Sequence, residues 1–210
     1  LGSSVPGSSA PGGQLWNHNI HYFGLVEKIA RRRPRANAID VGTGDGMLAA
    51  RLHAFIPTVV GLDSSRHQVD VSAERYAAPP GLSFQHGDLL DATVEGAPFD
   101  FVVCSATIHH MDLALRLDRL RELTAPGGTL VVIGLGRKST PGERVLAFAS
   151  LFVSRFMRAR HGWYDHGAPM EEPHQTYSEI ERTAAHILPG ADFRRRLYWR
   201  YSIVWNKPAN

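Results

Sequence analysis

Cysteine is nearly absent: Cys104 is the single one in 210 residues. No internal disulfide can form, so nothing ties the chain to an oxidising compartment. Its place in the apolar run Phe101-Val102-Val103-Cys104 predicts a small buried thiol. Lysine is scarce as well, with Lys28, Lys138 and Lys207 set against twenty arginines and a formal charge of +3. So strong an arginine bias, beside abundant Ala, Gly and Pro, reads as base composition rather than as a phosphate-binding face. The run Arg31-Arg32-Arg33 falls at a predicted helix end, where cations offset the macrodipole. Long apolar runs are missing too. The longest, over residues 145–156, is broken by Ser150, Ser154 and Arg155, and a bilayer span needs roughly 20 apolar residues. The start has no basic–apolar–cleavage pattern of a signal peptide. A cytoplasmic protein with no membrane partner is expected. With 43% hydrophobic and 20% charged residues, the chain has ordinary globular usage and enough apolar material for a packed core.

What is present is regular alternation. Residues 1–13 are nearly all Gly, Ser, Pro and Ala and are expected to be a disordered tail or a remnant; residues 14–210 read as one domain. A helical pattern over 25–33 stops at Pro34. Strands are expected at 36–41, 58–62, 82–85, 99–104 and 129–133, with helices at 47–54, from 64 to about 76, and at 111–124. Leu113, Leu117, Leu120 and Leu123 form one face of the last of these. Pro126-Gly127-Gly128 reads as the turn into the fifth strand. The pattern then breaks, and residues 134–175 are expected to form an inserted lid or substrate-binding segment. A further helix starts at Thr176 or Ser178, each with Glu three residues on. Residues 193–207 read as two strands joined by a tight turn. Strand–helix alternation of this kind predicts an α/β, doubly wound, Rossmann-like fold with helices on both faces.

The strongest local signal is Asp40-Val41-Gly42-Thr43-Gly44-Asp45-Gly46, between a strand and a helix. Alternate glycines let the backbone turn sharply and approach a ligand, and the turn delivers a helix N-terminus to the same point. Asp40 ends the strand and is placed to receive a ligand ammonium. Asp63 ends the second strand, where a carboxylate can accept both hydroxyls of a ribose, and Gly87-Asp88 closes the third. Three acids at three successive strand ends converge on one crevice. The order Gly-x-Gly-x-Gly differs from the dinucleotide fingerprint Gly-x-Gly-x-x-Gly: Met47 stands where its third glycine would be. Asp40 before the turn would also repel a pyrophosphate.

With these motifs, with the run Ile108-His109-His110-Met111 and with Pro126-Gly127-Gly128, the chain resembles the class I S-adenosylmethionine-dependent methyltransferases, small-molecule bacterial branch, over almost all of residues 16–208. The resemblance implies a seven-stranded, mostly parallel sheet with an antiparallel terminal hairpin, its last strand inserted. It implies S-adenosylmethionine as cofactor. Asp40 and the turn glycines Gly42, Gly44 and Gly46 would hold the methionine portion, Asp63 with Ser64 the ribose, and Asp88 with Leu89 the adenine. Ser105 at the end of strand four and Tyr22 from the N-terminal segment would wall the pocket.

His109 and His110 follow strand four, and a neutral imidazole there could take a proton from an attacking hydroxyl or amine. The alternative is packing or capping of the next helix. His166, with Trp163, Tyr164 and Asp165 in the inserted segment, is a third catalytic candidate. No His, Asp or Glu group has metal-ligand spacing, so no metal is expected. The acceptor is expected to be a small molecule with an O, N or C acceptor atom. Ser105-Ala106-Thr107-Ile108 is not the Asp/Asn-Pro-Pro-aromatic motif of amino-methylating DNA enzymes, so DNA is not expected as a partner, and RNA is the residual macromolecular alternative. A non-catalytic S-adenosylmethionine-binding protein is the competing reading from another class.

Overall fold

The computed structural model describes residues 16–77, 79–105, 112–137, 150, 153–155, 160 and 173–209. Seven strands form one sheet: β1 (Asn37–Val41), β2 (Thr58–Asp63), β3 (Leu82–His86), β4 (Phe99–Ser105), β5 (Thr124–Leu135), β6 (Asp192–Arg195) and β7 (Arg200–Asn206). Their order is β3-β2-β1-β4-β5-β7-β6. β1 to β5 pair in parallel, whereas β7 runs antiparallel to both β5 and β6. β7 alone is therefore reversed, as the family resemblance implies.

Side chains alternate across the sheet as strand geometry requires. Ala38, Phe101, Val103, Val131 and Ile133 face α1 (Phe23–Ala30) and α2 (Met47–His53). Ile39, Val41, Val102, Cys104, Leu130 and Val132 face α4 (Leu113–Leu123) and α5 (Tyr177–Ile187). Both faces of the central strands are covered, which is why those strands read as unbroken apolar runs. α3 (Arg66–Tyr76) lies against β2 and β3 and contributes Val69 and Ser72 as buried residues. All four leucines expected on one face of α4 are buried, and so is Cys104.

Several boundaries differ from the sequence reading. Pro126-Gly127-Gly128 is not a turn before β5 but an irregularity inside it: pairing to β4 jumps from Phe99↔Thr124 to Phe101↔Thr129. The Gly127 amide donates to the Lys207 carbonyl at 3.0 Å, and Lys207 donates back to Gly128 at 2.9 Å. Pairing from the chain's far end thus extends the strand through the Pro-Gly-Gly. α4 starts at Leu113 rather than 111 because Asp112 caps it, accepting from the amide of Ala114 at 2.9 Å. Between Thr176 and Ser178, the structure selects Thr176 as the cap of α5, with Glu179 completing a capping box. The terminal hairpin turns through Tyr198 and Trp199, both left-handed at φ 56° and 58°, so no Gly or Asn marks it. It is β6 that lies at the sheet edge, with β7 inside.

Residues 1–13 lie outside the described residues, as does most of 134–175. Of the latter segment, Gly134 and Leu135 end β5 and Arg137 bridges to Thr176. Ser150 accepts from the Tyr198 amide at 2.9 Å, and Ser154 is hydrogen-bonded to His18 at 3.0 Å. No helix among the described residues is long and apolar enough to cross a membrane.

Candidate active site

The sheet changes direction between β1 and β4: β2 and β3 follow on one side of β1, β4 and β5 on the other. Open α/β sheets bind ligands outside the carboxyl ends of their strands at such a switch point. The predicted site residues stand along that edge in the order Asp88, Asp63, the glycine turn, Ser105. Three strand spacings separate the first from the last, about 14 Å.

The turn is held from three sides. The amides of Gly42 and Thr43 donate to the Leu62 carbonyl at 2.7 and 3.1 Å, fastening the loop to β2. The Gly44 amide donates to Asp63 Oδ2 at 2.9 Å, and Ser72 Oγ of α3 donates to the Gly44 carbonyl at 2.8 Å. Gly44 (φ 56°) and Gly46 (φ 75°) both need the left-handed region, but their surroundings differ. A Cβ on Gly46 would come within 2.8 Å of the Phe84 ring and 2.9 Å of Ser72, whereas a Cβ on Gly44 would meet nothing within 4 Å. Gly46 is thus glycine for packing against β3. Gly44 looks onto open space, the cradle a bound group would fill.

Asp40 is 2% exposed. Its Oδ2 accepts from Thr43 Oγ1 at 2.8 Å, and its carboxylate also accepts the backbone N–H of Ala49 in the first turn of α2. Gly46, at the N-cap position of α2, has no side chain to cap it, so Asp40 supplies that cap from the strand. Burial pushes its pKa up to about 7; the Thr43 hydrogen bond acts the other way, and the nearby Asp63 and Asp45 add to the rise. Asp40 therefore braces the turn from beneath, and every contact it makes is internal.

Asp63 is half-buried. Its two oxygens take one amide each, Oδ2 from Gly44 and Oδ1 from Ser65 at 2.9 Å. Each oxygen keeps a further lone pair, so the oriented carboxylate can still accept two hydroxyls. Ser64 is tied through its carbonyl, which accepts from His86 Nε2 at 3.1 Å. Asp88 accepts from the Leu90 amide at 2.9 Å and faces Arg116 at 3.8 Å, while its side chain stays partly exposed. Leu89 is buried, and its carbonyl accepts from Arg119 Nε at 3.3 Å. Tyr22 is buried in the α1 layer and donates to the Leu197 carbonyl at 2.8 Å. Its contacts are those of packing, against the hairpin connection rather than the glycine turn. His109, His110 and His166 lie outside the described residues. Among the described residues, no group of three or more His, Cys, Asp or Glu is placed to hold a metal ion.

Residues 38–128 match the family described as a methyltransferase domain. The chain is 37% identical, over 200 residues, to the uncharacterized methyltransferase Rv0089 of Mycobacterium tuberculosis, covering 93% of this chain and 99% of that one. The chain belongs to the class I S-adenosylmethionine-dependent methyltransferases. This methyltransferase is also 29% identical, over 131 residues, to a demethylmenaquinone methyltransferase of Staphylococcus aureus, across 61% of this chain and 52% of that one. In fold it resembles N-methyltransferase NodS of Bradyrhizobium japonicum, solved with S-adenosyl-L-homocysteine: TM-score 0.60, 12% identity, covering 90% of this chain and 87% of that one.

Sequence reading missed two residues that hold the glycine turn, Thr43 and Ser72. Thr43 was visible inside the motif, and its hydroxyl three positions after Asp40 was the available signal. Ser72 gave none, since a serine in a polar helix is ordinarily solvated.

Proposed function

We propose that this methyltransferase transfers a methyl group from S-adenosylmethionine to an O, N or C atom of a small-molecule acceptor. The observation that carries the donor assignment is the pairing of Gly44 with Asp63. The amide is fixed on the carboxylate at 2.9 Å, yet the glycine's missing side chain leaves the space beside it open. The donor supplies a methyl already activated by a positively charged sulfonium, so the protein's work is mainly alignment. Asp63 accepts the ribose hydroxyls with the lone pairs its two amide partners leave. The exposed part of Asp88, with the backbone at Leu89, faces the adenine. The glycine turn lies along the methionine portion, and Asp40 and Ser72 keep that turn in shape without touching the ligand. A small acceptor is supported by the relationship to a methyltransferase named for a quinone.

Calorimetric titration with S-adenosylhomocysteine and, separately, with NAD tests the donor. Binding of the former and no heat from the latter is expected. Tight NAD binding without a response to S-adenosylhomocysteine overturns the assignment.

A further inference from the structure

The carboxyl edge of the sheet carries a second cluster that the donor crevice does not use. β6 runs in the direction of β1 to β5, so the connection 196–199 and Arg200 emerge at the same edge. Arg200 pairs with Leu135, the last residue of β5. It therefore stands two strand spacings, about 10 Å, to the side of β4 and its terminal Ser105.

Arg200 is 7% exposed, and its Nη2 donates to Asn19 Oδ1 at 2.6 Å. Among the described residues its Nε has no acceptor, and the ionisable groups near it are the phenols of Tyr22 and Tyr177 rather than carboxylates. Burial lowers its pKa to about 10, which leaves it a cation at neutral pH. A buried charge without a counter-ion is costly unless something else pairs with it. Tyr198 has no exposed surface, and its hydroxyl lacks a partner among the described residues. Its ring stacks on His18 at 4.7 Å, and His18 meets Trp199 edge-on at 5.8 Å. Two successive bulky residues in the left-handed region are strained, and such strain is held where a site needs it. Ser150 and Ser154 of the inserted segment tie this cluster down through the Tyr198 amide and His18.

We propose that Arg200 forms the acid-binding end of the acceptor site, and that the acceptor is a planar aromatic acid. Its carboxylate pairs with Arg200, its ring lies against the partly exposed His18 and Trp199, and its methylated atom points toward the tip of β4. This rests on the methyl-transfer reading above and narrows it to a substrate class.

Quenching of tryptophan fluorescence tests it with three probes, each titrated with and without S-adenosylhomocysteine. They are 3,4-dihydroxybenzoate, catechol (the ring without the acid) and cyclohexanecarboxylate (the acid without the planar ring). The dihydroxy acid is expected to bind at least about tenfold more tightly than either comparison compound. Arg200→Met should abolish that preference while S-adenosylhomocysteine affinity changes by less than about threefold. Arg200→Lys, which keeps the charge but not the planar fork, should weaken the acid by about threefold or more. Catechol binding as tightly as the acid overturns the proposal in the unaltered protein, as does undiminished acid affinity in either variant. If S-adenosylhomocysteine fails to bind while the preference persists, the donor reading falls and the acid site stands.

Discussion

Gly44 is the residue on which ligand and fold make separate demands. Its φ of 56° penalises any L side chain, while the space where a Cβ would go is empty. Asparagine tolerates the left-handed region best among residues with a side chain, so Gly44→Asn should cost about 1 kcal/mol or less. That side chain would occupy the donor's place. We expect S-adenosylhomocysteine affinity to drop by about tenfold or more, read by titration, with a melting temperature near that of the unaltered protein. Unchanged affinity would put the donor elsewhere. Asp40 was legible as a strand-end acid of the motif, and its pairing with a helix amide was not, because that contact depends on how α2 docks. Its raised pKa has a definite sign. Between about 4, where the unfolded chain releases this proton, and about 7, the folded protein still holds it. Stability from this group is greatest below that window and declines as pH rises through it. Asp40→Asn removes the titration and leaves an oxygen to accept from Thr43. Thermal melts across pH 4.5 to 8 should therefore show the variant gaining on the unaltered protein as pH rises. Parallel curves would show that Asp40 ionises normally.

At the scale of elements, what local chemistry determines was readable and what distant pairing determines was not. Thr176 and Ser178 present the same spacing to a glutamate, and sequence alone left both open. In the structure, Glu179 Oε2 accepts from the Thr176 amide at 2.7 Å, and Thr176 Oγ1 accepts from the Glu179 amide at 3.3 Å. Thr176→Ala should destabilise the protein by about 1 kcal/mol, lowering the melting temperature by roughly 2–4 °C. Ser178→Ala, in the first turn without that role, should stay within about 0.5 kcal/mol. Equal effects would mean that the helix starts elsewhere. The strands β1, β2 and β4 announced themselves by largely apolar runs, because both their faces are covered. The length of β5 did not, since residues 124–128 join the sheet through Lys207 and β4, partners that no local pattern reveals. The hairpin was read with its tight turn but without the turn's position, because Tyr198 and Trp199 violate the turn preferences that would mark it.

For the whole molecule, the order β5-β7-β6 governs how the sheet is completed. Some of the arginines serve local tasks: Arg31 lies over the Phe55 ring at 3.6 Å, and Arg119 donates to the carbonyls of Leu89 and Ala92. Donor crevice and aromatic cluster share one rim but sit on opposite sides of β4, so a change at one can leave the other intact. β7 is reached by passing through β6 first, yet it is β7 that fills the gap beside β5. While the chain is being synthesised, β5 is therefore an open edge and β6 has no neighbour until residues 200–206 have left the ribosome. The same residues deliver Lys207, whose Nζ donates to the carbonyls of Arg121 and Thr124 where α4 ends and β5 begins. The nascent chain must keep an unpaired apolar strand out of trouble, and one late-arriving segment closes the sheet from the inside.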